Sequence, residues 1–416
     1  MNNLNNQNDN DKKELPFKVI SEFKKDDFFS RAGEIHTKHG IIKTPCFVPV
    51  ATKADIKLLD LWDIQEIDPQ LIVTNTYHLY MKPGDELIEK MGGINEFTSI
   101  KTPFITDSGG FQIFSLGQGA VLGESKFKYN IEVEKDVKKS KRIQDSIVKI
   151  TKDGAHFRSV YDNSKHFMSP EKSIQIQKNI GADIILTLDE CPAPSADYEY
   201  TKKSLELTKK WELRSLAEHK KNPKEQLLYG IVQGGLFEDL RVESSKFISE
   251  NDFDGIAIGG AFGQDEMYKT LDWIKHHLSW EKPKHLLGIG TVQDFFEGVK
   301  RGVDTFDCVT PTRLARIGYV LFDKKSGGNL KNKFRYRLSK SEYELDKRPL
   351  DENCDCKVCR NYTRGYINHL YRSDELLGHK LISYHNVYFF VNLLKKIRQS
   401  IIDGTFDELY NEWMRD

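Results

Sequence analysis

An acid closes an apolar run in Thr305-Phe306-Asp307-Cys308-Val309. Pro311 should stop any regular continuation, and two basic residues, Arg313 and Arg316, follow. A carboxylate in that setting suits a nucleophile facing a cleft, with a phosphate-binding loop beside it. The competing role is structural, since acids commonly cap turns and Asp307 could pair with Arg313. A second acid, Asp107, stands before Ser108-Gly109-Gly110-Phe111. Those glycines could suggest a phosphate-cradling loop, but the Lys-Ser/Thr that a P-loop needs does not follow them. A third cluster, Cys354-x-Cys356-x-x-Cys359, brings three thiolates within six residues. A tetrahedral structural zinc needs a fourth ligand from elsewhere, and spacing alone leaves His369, His379 and His385 open. Three thiolates and one histidine leave no position for water, so such a site is structural and not catalytic.

The elements that must position these groups follow from periodicity. Eight short apolar runs recur: 46–50, 71–74, 104–106, 184–188, 228–232, 255–258, 285–289 and 305–309. Amphipathic segments such as 170–179, 200–220 and 265–278 lie between them. Alternating strands and helices imply a parallel sheet. Eight strands in about 300 residues fit a (β/α)8 TIM barrel better than an open doubly wound sheet. The fold class is therefore α/β, with an inserted structural zinc-binding subdomain near the C-terminus. A barrel places functional groups just after its strands. Those positions hold Asn75 and Thr76, Asp107 and Ser108, Asp189 and Glu190, Gln233 and Gly234, Gly259 and Gly260, Gly290, and Asp307.

Bulk composition narrows the partners. The 416 residues carry 62 Lys+Arg against 62 Asp+Glu, so any polyanion site must be a local basic patch. Residues 324–340 offer one, with seven Lys/Arg, no acid, and Phe334 and Tyr336 interleaved. That mixture suits a nucleic-acid backbone with unstacked bases; a solvated hairpin after Gly327-Gly328 is the alternative. Six cysteines make no disulfide scaffold. No run reaches the ~18 apolar residues of a membrane span, and a cytoplasmic protein is expected. The expected divisions are a disordered lead at 1–14, a catalytic barrel at 15–345 with a surface insertion near 119–145, a zinc-binding subdomain at 346–390, and a C-terminal helix at 391–416 packing on the barrel.

Together these motifs resemble tRNA-guanine transglycosylase, also called queuine tRNA-ribosyltransferase, of bacterial type. The resemblance rests on Asp107-Ser108-Gly109-Gly110-Phe111-Gln112, Leu188-Asp189-Glu190-Cys191, Gly230-Ile231-Val232-Gln233-Gly234-Gly235, Ala257-Ile258-Gly259-Gly260, Phe306-Asp307-Cys308-Val309-x-Pro311-Thr312-Arg313, Cys354-x-Cys356-x-x-Cys359 and His385-Asn386. They stand in family order from about Pro16 to the C-terminus. The resemblance implies exchange of the wobble guanine of GUN-anticodon tRNAs (Asp, Asn, His, Tyr) for a 7-deazaguanine base, preQ1 or queuine, through a covalent ribosyl-enzyme. It makes Asp307 the nucleophile at ribose C1′ and Asp107 the proton acceptor for the incoming base. Ser108, Gly109, Gly110, Asp189, Gln233 and Gly260 would surround the base, with Phe111 and Leu287 sandwiching its ring. Gly288, Ile289, Gly290, Thr291, Val292, Gln293 and Asp294, with Thr312, Arg313, Leu314, Ala315 and Arg316, resemble the tRNA-contacting loops. His385 resembles the fourth zinc ligand, and a homodimer is implied.

The chemistry suits these residue types. A carboxylate near C1′ stabilises an oxocarbenium-like centre and can form a glycosyl-enzyme, while a second acid moves a proton at the base. A base stacked in an anticodon must flip out to be reached. The sequence departs from the family after Gly260: Ala261-Phe262-Gly263-Gln264 is one residue shorter and lacks the acid that favours a cationic aminomethyl group. This loop and the 119–145 insertion resemble chlamydial relatives and suggest queuine as the incoming base. Two other readings compete. One is a non-catalytic tRNA-binding partner subunit, which has no physical need for both Asp107 and Asp307. The other is a barrel glycosidase, which has no use for the basic patch or a zinc clip.

Overall fold

The computed structural model describes residues 16–114, 148–260 and 263–415. The expected lead at 1–14 and the expected insertion near 119–145 lie outside the described residues. Eight parallel strands close a barrel: β1 (Cys46–Ala51), β2 (Ile72–Thr74), β3 (Phe104–Thr106), β4 (Ile184–Leu186), β5 (Leu227–Val232), β6 (Gly255–Ile258), β7 (Lys284–Leu286) and β8 (Thr305–Cys308). Each pairs with its neighbours in sequence order, and β8 closes on β1 through Thr305↔Cys46 and Asp307↔Val48. Every run read as a strand is one. The ladders of β4 and β7 stop two or three residues earlier than the apolar runs, because the chain leaves the sheet to build the cleft.

Alternation explains which side chains meet. Val48, Leu71, Val73, Ile105, Leu186, Tyr229, Ile231 and Ala257 form one buried cluster that fills the lumen. Their neighbours Phe47, Ile72, Phe104, Ile185, Leu228, Ile256 and Phe306 belong to the larger core under the helices. Side chains alternate with a period of two along a strand. Extending the inward series therefore places Asn75 after Val73, Asp107 after Ile105, Gln233 after Ile231, and Asp307 after Thr305 at the lumen's C-terminal mouth. An antiparallel sheet of Phe17–Lys25, Phe28–Thr37 and Gly40–Thr44 closes the opposite end, with Phe17, Ile35 and Ile42 joining the lumen cluster. There Arg31 is fully buried and paired with Asp304 at 2.6 Å.

The helices match the amphipathic segments. After β3 comes α1 (Pro170–Ile180); α2 (Tyr198–Lys221), α3 (Glu238–Glu250), α4 (Gln264–Ile274) and α5 (Val292–Lys300) join successive strands up to β8. The weakly marked link before β2 contains a seven-residue helix, Leu61–Ile67, begun by an Asp60/Asp63 capping box. Pro311 does not end regular structure as expected. It sits in the first turn of α6 (Thr310–Arg316), where its missing N–H has no helical partner to lose. The chain ends with α7 (Leu376–Ile402), which packs on α6 and β1, and a last helix, Phe406–Met414.

The basic stretch 324–340 also differs from expectation. Arg335–Arg337 pairs antiparallel with Tyr319–Leu321. Phe334 is 1% exposed and stacks on Trp413 at 5.4 Å, and the Tyr336 hydroxyl donates to the Leu350 carbonyl. The aromatics thus serve packing, while Lys325, Lys331, Lys333, Arg337 and Lys340 are exposed. Among the described residues no helix is long and apolar enough to cross a membrane.

Candidate active site and metal cluster

Asp107 follows β3 directly, and its carboxylate is ringed by donors. The Thr76 N–H reaches Oδ1 at 2.8 Å and the Gly109 N–H at 3.2 Å, while the Asn75 amide donates to Oδ2. Gly109 has φ +79, and Gly110 packs with its Cα against the Asp189 carbonyl, where a Cβ would stand 3.0 Å from that oxygen. The glycines therefore let the Asp107 loop lie on the Asp189 loop. Burial pushes Asp107 up to about 7; the charges of Asp307 and Asp189 add to the rise, and the Thr76 and Gly109 N–H groups oppose it. A carboxyl poised near neutrality can accept or release a proton at working pH.

Asp307 lies inside β8 with its side chain 14% exposed. The Gly288 N–H donates to Oδ1 at 2.8 Å, and His285 Nε2 stands 3.3 Å from the same oxygen. His285 is fully buried, with Nδ1 at 2.8 Å from Thr305 Oγ1. One carboxylate oxygen is therefore anchored at the mouth of the barrel. The two acids are close enough for their charges to interact. Asp307 is fixed by hydrogen bonds and Asp107 is poised near 7, a difference in setting that suits an acid pair carrying out displacement plus proton transfer.

The remaining predicted residues gather around them. Asp189 is 6% exposed, accepting from Ser108 Oγ at 3.3 Å and from Gln233 Nε2 at 2.6 Å. Gly259 lies under Gln233, where a Cβ would stand 2.8 Å from Nε2. Gly260, Leu287 and Phe111 are partly exposed at the mouth. The set presents carboxylate acceptors beside amide donors, a match for a flat ligand with adjacent donors and an acceptor on one edge. Glu190 is turned away, bound by the Tyr200 hydroxyl at 2.5 Å.

The two loop segments divide by exposure. Gly288 and Arg316 are exposed, while Thr291, Gln293 and Arg313 are half-buried. Ile289, Gly290, Val292, Asp294, Thr312, Leu314 and Ala315 are buried. Asp294 is fully buried and holds its own loop: it accepts from the Thr291 N–H in a capping box, from Tyr268, and from Gln264 Nε2 at 2.7 Å. Gln264, in the shortened loop, is thus committed to Asp294.

Cys354, Cys356, Cys359 and His385 converge with all ligand atoms within 4.8 Å of one another. His385 Nδ1 stands 3.7, 3.6 and 3.3 Å from the three sulfurs. Bond lengths of about 2.3 Å to sulfur and about 2.05 Å to nitrogen give a tetrahedral edge of about 3.5 Å, so the cluster fits one ion. The His385 Nε2–H donates to the Leu321 carbonyl at 2.8 Å, which leaves Nδ1 as the free donor. Cys356 begins a short helix, and hydrogen bonds from Cys354 and Cys359 hold its thiol low. His369 and His379 take no part in the cluster. On the same helix Asn386 donates to the Pro311 and Tyr319 carbonyls at 3.1 and 3.0 Å and accepts from the Leu321 N–H at 2.9 Å.

Three contributors escaped sequence reading. Asn75 was visible only as a strand-end residue, not as a partner of Asp107. His285 carried a signal, because alternation puts it on the same side of its strand as Leu287, and it pairs in register with Thr305. Arg241, on α3, carried none.

A family model described as queuine tRNA-ribosyltransferase matches residues 26–416. The chain is 44% identical over 398 residues to the queuine tRNA-ribosyltransferase of Roseiflexus sp. (strain RS-1), covering 92% of this chain and 96% of the relative. It is 43% identical over 389 residues to that of Caldanaerobacter subterraneus subsp. tengcongensis, covering 93% and 94%. It is also 43% identical over 391 residues to that of Fusobacterium nucleatum subsp. nucleatum, covering 93% and 95%. With a closed eight-stranded barrel, an acid pair at its mouth and a Cys3His cluster beside it, the chain belongs to the queuine tRNA-ribosyltransferase family.

Proposed function

We propose that this tRNA-guanine transglycosylase, a pentosyltransferase acting on tRNA, works through a covalent ribosyl-enzyme formed on Asp307. The wobble guanosine of a GUN-anticodon tRNA flips into the barrel mouth. The Asp307 oxygen not held by Gly288 attacks C1′, the C1′–N9 bond breaks with its electron pair going to N9, and guanine leaves as N9 takes a proton from solvent at the barrel mouth. A 7-deazaguanine base enters, Asp107 accepts its N9 proton, and the base displaces Asp307 from C1′. Two displacements keep the sugar's configuration. Asp189 accepts from the base's N–H donors, Gln233 and the Gly260 N–H donate to its carbonyl, and Phe111 and Leu287 flank its ring. The half-buried Arg313 and the exposed Arg316 meet the phosphates, with Gly288 and Gln293 at the loop surface.

The observation that carries this reading is the asymmetry of the acid pair: Asp307 is anchored through one oxygen and Asp107 is poised at about 7. The test is a denaturing gel of enzyme mixed with a tRNA bearing guanine at the wobble position, plus a deazaguanine analogue as trap. A shifted band in the unaltered enzyme that is absent in Asp307→Asn is expected. No band despite tRNA binding would favour the non-catalytic partner subunit.

Further parts of the proposal rest on separate features. The ion held by the Cys3His cluster is Zn2+, one per subunit, with a structural role in the unit at 346–390 beside the catalytic barrel at 15–345. The incoming base is queuine, because Gln264 replaces the acid that would meet a cationic aminomethyl group and is bound to Asp294. A KM for preQ1 far below that for queuine would refute this. The enzyme acts in the cytoplasm as a homodimer, for which the exposed Tyr366 and Leu376 on the metal-held unit, with Leu345 just before it, offer apolar surface; a monomeric mass at assay concentration would refute the dimer.

A further inference from the structure

We propose that Arg241 is a positioning residue for the base site, fixing the Gly259–Gly260 peptide so that the Gly260 N–H faces the cleft. Arg241 projects from the first turn of α3 and is fully buried. Its Nη1 donates to the Gly259 carbonyl at 2.6 Å and to the Val232 carbonyl at 3.1 Å, and its Nε donates to the Gly235 carbonyl at 2.8 Å. One planar guanidinium thus ties the end of β6 to both sides of the Gln233-Gly234 turn after β5. Five donors in a fixed fork suit that task, and a lysine has no equivalent geometry.

The consequence follows from the peptide unit itself. In a trans peptide the carbonyl of one residue and the N–H of the next point in opposite directions. The Gly259 carbonyl points at Arg241, on the helix side of the strand. The Gly260 N–H therefore points away from the helix, toward the mouth where Gln233 and Asp189 lie. Among the described residues it meets no acceptor, and Gly260 is partly exposed with φ +143, a backbone state that favours glycine. Gly234 adds to the constraint: at φ +131, a Cβ there would stand 2.8 Å from the Arg241 nitrogen, so the turn lies directly on the helix that carries the guanidinium. Without the clamp the Gly259–Gly260 peptide is free to rotate, since neither glycine restrains it, and the donor is no longer aimed in advance.

This inference rests on the assignment of Gly260 to the carbonyl edge of the base, and the experiment separates the two. Labelled-guanine exchange into tRNA is measured with guanine and with 6-thioguanine as competitor. The thio-analogue keeps the N1–H and the exocyclic amine but replaces the carbonyl oxygen by a poorer acceptor. In the unaltered enzyme guanine should bind roughly five- to tenfold better than the thio-analogue, the scale of one hydrogen bond. In Arg241→Lys the guanine KM should rise by about that factor, with the 6-thioguanine inhibition constant and tRNA affinity unchanged, so that discrimination falls to the share supplied by Gln233. Discrimination undiminished in a folded Arg241→Lys enzyme overturns the role of Arg241 alone. Discrimination absent in the unaltered enzyme overturns the Gly260 assignment and this inference with it. A measurement that needs no variant to fold is amide exchange in 15N-glycine-labelled wild-type enzyme. The Gly260 amide should exchange freely and become protected on adding guanine; an amide protected in the free enzyme and indifferent to guanine overturns the proposal.

Discussion

Asp107→Asn should lower activity and raise stability at the same time, and the sign of each effect follows from one number. Burial and the neighbouring charges push Asp107 from an ordinary 3.8 to about 7. In the proposed role of proton acceptor it would work only when ionised, about one tenth of the time at pH 6 and about nine tenths at pH 8. Exchange rate should therefore rise about tenfold per pH unit below 7 and flatten above. In Asp107→Asn the profile should lose this limb and the rate should fall by roughly 10²- to 10⁴-fold. The stability effect runs the other way. Between 3.8 and 7 the native state holds a proton that the unfolded state has lost, so this group's contribution falls as pH rises through that window. Above pH 7 the native state carries the full cost of an ionised, crowded carboxylate, on the order of 4 kcal/mol as an upper bound because the cleft admits water. The variant sheds that cost. It also sets a new amide group against the Asn75 amide, which costs about 1 kcal/mol. A net gain of roughly 1–3 kcal/mol at pH 8, vanishing at pH 4, is expected in urea unfolding followed at both pH values. An unchanged pH limb, or a variant less stable than wild type at pH 8, would refute the reasoning.

Other expected outcomes test separate parts of the molecule. Gly259→Ala should raise the KM for the incoming base about tenfold with little change in tRNA affinity, because its Cβ would stand 2.8 Å from Gln233 Nε2 and 2.9 Å from Ile231 Cγ2; steady-state kinetics in each substrate would show the split. The double variant Arg313→Ala/Arg316→Ala should weaken tRNA binding and reduce the slope of log affinity against log salt by about 2, read from binding isotherms across a salt series. Arg31→Met should destabilise the fold by roughly 3–5 kcal/mol through the uncompensated Asp304 carboxylate at the closed end of the barrel, seen as a lowered urea midpoint with unaltered KM in the enzyme that remains folded.

The barrel was legible because its interior obeys a period of two. Apolar runs such as 71–74 and 104–106 marked the strands, and the polar residues that ended them marked the mouth. The rule that barrel sites follow strand ends found Asp107, Gln233 and Asp307, and in the structure each stands one alternation beyond the last lumen side chain. What stayed hidden was whatever depended on distance across the fold. Arg241 reads in sequence as one more cation of an exposed helix, and only the approach of β6 to the turn after β5 turns it inward. Asn75 is a helix cap by position, accepting from the His78 N–H, and a neighbour of Asp107 only in space. Phe334 and Tyr336 misled for the opposite reason. Aromatics among cations look like a nucleic-acid surface, but composition carries no direction, and Trp413 from the last helix covers Phe334.

The metal cluster and the segment that follows Asp307 are joined by two adjacent residues of one helix. His385 presents Nδ1 to the three thiols and ties its other nitrogen to Leu321, while Asn386 holds Pro311, Tyr319 and the Leu321 N–H. Pro311 stands four residues after Asp307 and opens the helix that carries Arg313 and Arg316. A bound ion at the cluster would thus fix the register of α7 against the segment proposed to face tRNA, at a distance from Asp307. Removing the metal should loosen that segment first. Because Asp107, Asp189 and Gln233 come from other strands, the base site should persist. Dialysis against a chelator should therefore weaken tRNA binding at least tenfold while leaving the affinity for free guanine within about twofold, since one loosened phosphate-contacting loop costs a few contacts of order 1 kcal/mol each. Equal loss of both affinities in a protein that keeps its helical circular dichroism would show that the cluster supports the whole barrel and not the RNA-facing segment.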